Sequence, residues 1–238
     1  EEYRFSHKSF FEYLMAYRFF LDWEEIKSLQ GMDFAVQIFN ELVAAWQQDK
    51  KGFAIAGQRF SEAHVTDSLH EMGCYLQDLN NFKEAEQDYK AALEIRRRLS
   101  ATDPAVYEPE VARTLNNLGE LHRNMNDYPQ AAEELAEALE IRRRLADADP
   151  TTYEPRLAMT LNNLGALHYN MHDYAKAAEE YDDALDIYRR LAAAYPAAYE
   201  PGVAMTLNNL GALHRNMHDY AKAAKELAEA LKIRRRLA

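Results

Sequence analysis

The amino-acid sequence predicts an all-α protein, a right-handed superhelical solenoid of helical hairpins that is preceded by a short helical segment. The first observation is a repeat: the glycines at 73, 119, 165 and 211 recur at one interval, since 119 - 73, 165 - 119 and 211 - 165 all equal 46. The second is that apolar residues within a repeat lie three or four positions apart, as on one face of an α-helix. Units with one period and one helical pattern bury their apolar faces against their neighbours and form a stack.

Each repeat is predicted to fold as two helices joined by a tight turn. In the third copy, Leu161, Leu164 and Leu167 form the apolar stripe of the first helix, and the turn falls at residues 171–174. Small alanines on the second helix allow the two backbones to approach closely. The four predicted units span about residues 62–107, 108–153, 154–199 and 200–238.

The connector between units contains two prolines, which are Pro104 and Pro109 in its first copy. Proline cannot continue a helix from its interior, but it is well tolerated in a first turn. We therefore expect the first proline to end the preceding helix and the second to lie in the first turn of the next one.

The residues that surround each repeating glycine follow a recognisable order. In the second unit they are Leu118, Gly119, His122, Ala131, Leu135 and Ala138. This order resembles the tetratricopeptide repeat, although the usual unit of about 34 residues is shorter. It is similar to the long-repeat subclass that includes the kinesin light chains. The resemblance implies that a protein or peptide ligand binds on a concave surface lined by the first helices.

Counting from the glycines along the first helices gives the candidate ligand-binding residues of the concave face. They are Arg113, Asn116, Arg123, Asn124, Asn162, Tyr169, Asn170, Asn208, Arg215 and Asn216. A side-chain amide both donates and accepts hydrogen bonds, which suits an extended peptide backbone. Arginine and tyrosine can add specificity by pairing with carboxylates or stacking on rings. The alternative is that the asparagines repeat because the units were copied, and that they cap or brace helices.

The N-terminal segment does not follow the repeat. Its first residues contain a pattern formed by Phe5, His7, Ser9, Phe10, Glu12 and Tyr13. This pattern resembles the end of the winged-helix region in NACHT-type STAND ATPases. We therefore interpret residues 1–30 as the C-terminal remnant of that region and residues 31–61 as a helical linker.

The STAND resemblance implies a function for a longer parent protein. In such proteins, ligand capture by the repeats releases an ATPase that triggers an N-terminal effector, often in prokaryotic antiphage defence. The parent would bind ATP or ADP with Mg, and His7 would sense the nucleotide in the parent protein only. The implied ligand is a protein or peptide such as a phage structural protein. A constitutive scaffold for protein assembly, without a nucleotide switch, is the alternative, and self-association stays open.

The chain itself shows no pattern for catalysis. No Gly-x-x-x-x-Gly-Lys loop occurs among its eight glycines, so neither enzyme activity nor a bound cofactor is predicted for it. His168 and His172 have a spacing that can chelate zinc, as do His214 and His218, but no third ligand accompanies either pair, and we predict no metal site. Three arginine runs end long helices, where cations complement the helix dipole, so a solvated structural role is expected for them.

Composition limits the classes of partner and the cellular location that we expect for the chain. The formal charge of -11 opposes attraction to nucleic acid and to anionic membranes. No apolar stretch reaches the roughly 18 to 20 residues that cross a bilayer. One cysteine, Cys74, and the lack of a secretion signal favour a cytoplasmic location.

Overall fold

The structure is a computed structural model that describes residues 54–55, 58–59 and 62–237. The chain divides into two compact units, residues 1–72 and 73–238. The segment interpreted as a NACHT remnant, residues 1–30, lies outside the described residues, and so does His7.

The segment predicted as a helical linker, residues 31–61, contains only four described residues, and these form two short strands. Strand β1 (Ala54–Ile55) pairs antiparallel with strand β2 (Gln58–Arg59). Ala54 lies opposite Arg59 and Ile55 lies opposite Gln58. At these four residues the structure differs from the predicted helix. The sequence places a glycine at position 57, a residue type that favours a tight turn over a helix.

The remaining described residues form eight helices. Their bounds are α1 (Glu62–Asp78), α2 (Phe82–Ser100), α3 (Pro104–Asn124), α4 (Tyr128–Ala148), α5 (Pro150–Asn170), α6 (Tyr174–Ala194), α7 (Pro196–Asn216) and α8 (Tyr220–Leu237). The odd-numbered helices are the first helices of the repeats and the even-numbered helices are the second helices. The predicted all-helical repeat fold is confirmed. Three hairpins begin at residues 104, 150 and 196 rather than at the predicted 108, 154 and 200.

The earlier hairpin starts show that our expectation for the connector prolines was wrong. Pro104 is the first helical residue of α3, and Pro109 lies inside the same helix. The fixed φ of proline suits a first helical turn, and an N–H is not needed there. The first hydrogen bond of α3 runs from the Tyr107 N–H to the Asp103 carbonyl at 3.1 Å. The helix therefore starts at the first proline and passes through the second.

The hairpin turns have one repeated conformation. The first residue after each C-cap adopts a left-handed backbone conformation, with φ of 60° to 63° at Asn80, Asn126, His172 and His218. In the second hairpin the Asp127 N–H bonds to the His122 carbonyl at 2.8 Å, which closes the end of α3. The Asp127 carboxylate then accepts from the Gln130 N–H and caps the start of α4. The turn at residues 171–174 lies where the sequence predicts it.

The repeating glycines allow the two helices of a hairpin to approach closely. A Cβ atom on Gly165 would lie 2.7 Å from ring carbons of Tyr181, and one on Gly119 would lie 2.5 Å from Leu135 Cγ. Both distances are far below an ordinary contact, so each second-helix side chain occupies the space that a glycine leaves open. This explains why the glycine recurs although helix propensity disfavours it.

Replacing Gly165 by alanine tests this contact. Helix propensity alone would stabilise the variant by about 1 kcal/mol. We expect the clash with Tyr181 to reverse that sign and to destabilise the protein by roughly 1–3 kcal/mol in urea denaturation. In a Tyr181→Ala background the same glycine substitution should no longer be unfavourable. A stabilised Gly165→Ala variant in the parent background would contradict the packing argument.

Candidate functional site

The first helices present one polar and partly apolar stripe to solvent, which we call the first-helix face. Its positions are the residues of α3, α5 and α7 that remain at least partly exposed at spacings of four, three and four. They are Arg113, Asn117, Glu120 and Asn124 on α3, Met159, Asn163, Ala166 and Asn170 on α5, and Met205, Asn209, Ala212 and Asn216 on α7. The intervening residues are mostly buried. Of the predicted ligand-binding residues, Arg113, Asn124, Asn170 and Asn216 lie on this face.

Asn116 and Asn162 do not lie on the face. Their exposed fractions are 1% and 3%. Asn116 Oδ1 accepts from Thr160 Oγ1 at 3.1 Å and from Arg142 Nη1 at 3.3 Å. Asn162 Nδ2 donates to Thr206 Oγ1 at 2.9 Å. This placement corrects the prediction that the two amides meet a ligand, because each one joins its own hairpin to the next.

Asn208, the equivalent residue of α7, is exposed. In the two preceding hairpins this asparagine bonds to a threonine of the following first helix, and the described residues offer Asn208 no such threonine. It therefore stays a candidate for ligand binding.

Arg142 completes the buried cluster between the second and third hairpins. Its exposed fraction is 2%, and Nη1 donates to the Thr160 hydroxyl and to the Arg156 carbonyl, the latter at 2.7 Å. Burial lowers the pKa of Arg142 to about 10, so the guanidinium is still charged at neutral pH. Arg96 is buried in the same way and donates to Thr114 Oγ1 at 2.6 Å. The expected solvated role is therefore wrong for the first arginine of these two runs.

The junction between the third and fourth hairpins is packed by different residues. Tyr188 replaces the buried arginine, and Gly202 stands opposite it. A Cβ atom on Gly202 would lie 2.7 Å from Tyr188 Cε1, so the bulky ring needs the glycine. Thr206 is retained and bonds to Asn162. The paired change from arginine to tyrosine and from a long side chain to glycine was a signal in the sequence that could have revealed the junction.

The second asparagine of each repeat lies on the first-helix face, and the sequence prediction missed it by one position. Asn163 Nδ2 donates to Asn116 Oδ1 at 3.2 Å, and Asn209 Nδ2 donates to Asn162 Oδ1 at 3.4 Å. Each bond joins neighbouring first helices. Asn163 and Asn209 are only partly buried, so they connect the buried clusters to the surface.

A row of larger side chains borders the face at the C-terminal ends of the first helices. It consists of Arg123, Tyr169 and Arg215, and we call it the Arg–Tyr–Arg row. Arg123 and Tyr169 are partly buried, whereas Arg215 is exposed. Asn216 Nδ2 donates to the Tyr169 hydroxyl oxygen at 2.6 Å. The structure therefore keeps all three residues of this predicted specificity group at the surface.

Histidine and glutamate form one pair inside each of the last three hairpins. The Nδ1 atoms of His122, His168 and His214 lie 2.6, 2.7 and 2.8 Å from a carboxylate oxygen of Glu134, Glu180 and Glu226, respectively. These pairs join the first helix to the second. Over the part of the chain that the structure describes, no cluster of three or more potential ligands could hold a metal ion.

His122 has the most enclosed of these pairs. Its Nε2 also lies 3.3 Å from Glu86 Oε1 on α2. Burial alone would lower the pKa of His122, but hydrogen bonds and charges from Glu134 and Glu86 outweigh it and raise the pKa above the ordinary value of 6.5.

No described helix is both long and apolar enough to cross a membrane.

These features define a class: an array of stacked helical hairpins with a 46-residue repeat, a buried polar junction and an open face on its first helices. The chain belongs to the tetratricopeptide repeat family, whose model matches residues 64–144, 110–190 and 156–236. Membership in this family indicates a role in protein–protein interaction. No protein with curated annotation matches the chain.

Solved structures show the same fold. BtubC (BKLC) from P. vanneervenii is 24% identical with a TM-score of 0.66, and the match covers 86% of this chain and 74% of that one. The apo form of RapI is 15% identical with a TM-score of 0.68, covering 94% of this chain and 69% of that one. MamA is 15% identical with a TM-score of 0.55, covering 91% and 97%.

The buried junction can be tested by replacing Thr160 with valine. This substitution keeps the shape but removes the hydroxyl that serves both Arg142 and Asn116, so two buried polar groups lose a partner. We expect a destabilisation of about 1–3 kcal/mol in urea denaturation. Thr151→Val, at an exposed position of the same helix, is the matched control and should change stability by less than about 0.5 kcal/mol. Equal effects of the two substitutions would contradict a buried junction.

The contacts of His122 with Glu134 and Glu86 predict that the stability of the protein depends on pH. Because the folded pKa is raised, the protonated form adds stability that is fully present below about pH 6.5 and is lost as the pH rises through the folded pKa. The difference in unfolding free energy between the parent and His122→Gln should therefore be larger near pH 6 than near pH 9. Urea denaturation at both values measures it. In a Glu134→Gln background this pH dependence should shrink, and an unchanged dependence would exclude Glu134 as its source.

Proposed function

We propose that this chain is the sensor region of a bacterial STAND NTPase of the NACHT type and that it captures a protein or peptide on its first-helix face. The observation that supports capture is that the two adjacent asparagines of a repeat have different environments. In the second and third hairpins the first asparagine is buried at the junction with the next hairpin, and the second is partly exposed on the first-helix face. The first asparagine of each internal junction is occupied by Arg142, Thr160 or Thr206. The neighbouring face stays at least partly accessible, and on α5 and α7 its methionines and its exposed amide groups can meet a ligand.

The chemistry of the face suits a peptide backbone with apolar side chains. Over α5 and α7 the four face positions are methionine, asparagine, alanine and asparagine in both repeats. Methionine adapts its shape to a partner, and alanine lets the partner approach the helix closely. Met205 has 41% of its surface exposed. Asparagine amides can satisfy the peptide N–H and carbonyl groups that such a contact desolvates.

The STAND assignment is supported by the pattern from Phe5 to Tyr13. In this proposal the parent protein carries an ATPase module that binds ATP or ADP with Mg, and His7 senses the nucleotide there. Ligand capture by the repeats releases the ATPase and activates an N-terminal effector. Antiphage defence is the proposed setting, and a phage structural protein is the proposed ligand.

A constitutive scaffold for protein assembly, without a nucleotide switch, is the second candidate. Membership in the tetratricopeptide repeat family supports it as well, because protein–protein interaction is common to both candidates.

The two candidates differ in what binding does to the nucleotide. Phage structural proteins, expressed one at a time, are tested for retention by the immobilised chain. We expect one of them to bind and to be lost from a Met205→Glu, Ala212→Glu double variant, because two carboxylates are placed on the apolar part of the face. Ala175→Glu, Ala193→Glu, at exposed positions of α6, is the matched control and should retain the ligand. Circular dichroism confirms that both variants are folded.

The bound protein is then added to the full-length parent, and ATP hydrolysis is measured. An increase supports the sensor. Binding without any effect on the nucleotide, or a parent gene without a phosphate-binding loop, supports the scaffold. Equal binding by both double variants would place the ligand away from the first-helix face.

A further inference from the structure

Ion pairing is the usual state of the second-helix arginines on this acidic chain, in which 39 Asp and Glu outnumber 28 Lys and Arg. Five of them lie 2.5–2.9 Å from a carboxylate oxygen: Arg97, Arg144, Arg189, Arg190 and Arg236. Arg123 and Arg215, in the Arg–Tyr–Arg row, have no carboxylate within 4.0 Å among the residues that the structure describes. Two cations of one row are thus left without an internal counter-charge.

Arg123 is the more constrained of the two. Its side chain is partly buried, and within the described part of the chain its Nε is shielded from solvent without a hydrogen-bond acceptor. Burial raises the pKa of Tyr181, and the charge of the nearby Arg123 opposes that shift. A cation that is partly removed from water is costly unless an anion or several acceptors face it. The part of the Arg123 guanidinium that stays at the surface can therefore bind an acceptor from outside the described chain.

Tyr169 lies between the two arginines in the row. Its hydroxyl oxygen accepts from Asn216 Nδ2 at 2.6 Å, so its own hydrogen is available to donate. Its ring lies 6.0 Å from the ring of Tyr174 at an interplanar angle of 45°. The phenol is therefore held in place by the second helix of its own hairpin and by the first helix of the next hairpin.

The spacing of the row sets the spacing of a ligand. Helix α3 contacts α5, and α5 contacts α7. Packed helices have axes about 8–10 Å apart. Arg123 on α3 and Arg215 on α7 have one first helix, α5, between them, so they are separated by two such spacings, or roughly 16–20 Å. An extended peptide rises about 3.3 Å per residue, so this span corresponds to about five or six residues.

We propose that the Arg–Tyr–Arg row binds an extended acidic peptide segment in which two carboxylates lie about five or six residues apart. Arg123 and Arg215 each bind one carboxylate, because the planar guanidinium matches the two carboxylate oxygens. The Tyr169 hydroxyl donates to a peptide carbonyl between them. This inference rests on the proposed capture of a peptide by the first-helix face and specifies its chemistry.

A selection from displayed random 12-residue peptides tests the proposal with the 238-residue chain as the target. We expect the selected peptides to be enriched in two acidic residues five or six positions apart. A synthetic peptide of the most enriched sequence is then measured by fluorescence anisotropy. Arg123→Gln and Arg215→Gln should each weaken it roughly tenfold or more. Arg143→Gln and Arg235→Gln, which remove the same charge from exposed second-helix positions, should change its affinity less than about twofold.

The outcomes separate this inference from the proposed function. Selected peptides without acidic enrichment, which still lose binding in the Met205→Glu, Ala212→Glu variant, would overturn the acidic ligand but keep the binding face. Selected acidic peptides that bind the Arg123→Gln and Arg215→Gln variants unchanged would overturn the row as their site. A selection that yields no peptide would count against peptide capture altogether and so against both proposals.

Discussion

The contact between consecutive hairpins, made by a buried polar cluster, is the interaction on which the rest of the structure depends. Between the second and third hairpins this cluster is formed by Arg142, Asn116 and Thr160. Leucine packing is non-directional and would tolerate some sliding of one hairpin over the next. Hydrogen bonds that must be satisfied in a buried place allow one register only, because a displaced hairpin would leave the guanidinium and the amide without partners.

Fixing the register has a functional consequence. It aligns equivalent positions of α3, α5 and α7 across the stack, so side chains 46 residues apart lie on neighbouring helices. Asn163 and Asn209 then bond to the first asparagines of the preceding repeats, and Asn216 reaches Tyr169. A ligand that extends across several hairpins meets a regular surface whose chemistry differs along it, from charged residues on α3 to methionine, alanine and asparagine on α5 and α7.

The sequence was sufficient to predict the hairpins and their turns because these depend on local rules. The 46-residue period, the packing glycine and the turn at residues 171–174 each have a local cause. The assignment of Asn116 and Asn162 to the ligand face could not be reached in the same way. Asn116 and Asn117 are adjacent and chemically identical, and one helical step of about 100° decides which of them is buried. That choice is made by Arg142 and Thr160, which come from other helices.

Two further differences have the same origin. The first arginine of a helix-ending run was expected in solvent, yet Arg96 and Arg142 are buried, because a threonine of the next first helix offers them an acceptor. Pro109 was expected at a helix start, but the helix had already begun at Pro104. In both cases local propensity allowed two structures. A hydrogen bond to the next hairpin selected the buried arginine, and a helix start at Pro104 placed Pro109 inside the helix.

We propose that the register of the stack leaves the first-helix face open to a ligand. Site-specific thiol labelling tests it most directly, in a Cys74→Ser background with a single cysteine introduced either by Asn163→Cys on the first-helix face or by Asp183→Cys on α6. Both cysteines should react with maleimide in the free chain, and a bound protein partner should slow only the cysteine at position 163. Protection at position 183 with unchanged labelling at position 163 would contradict the account, because the ligand would then occupy the second helices.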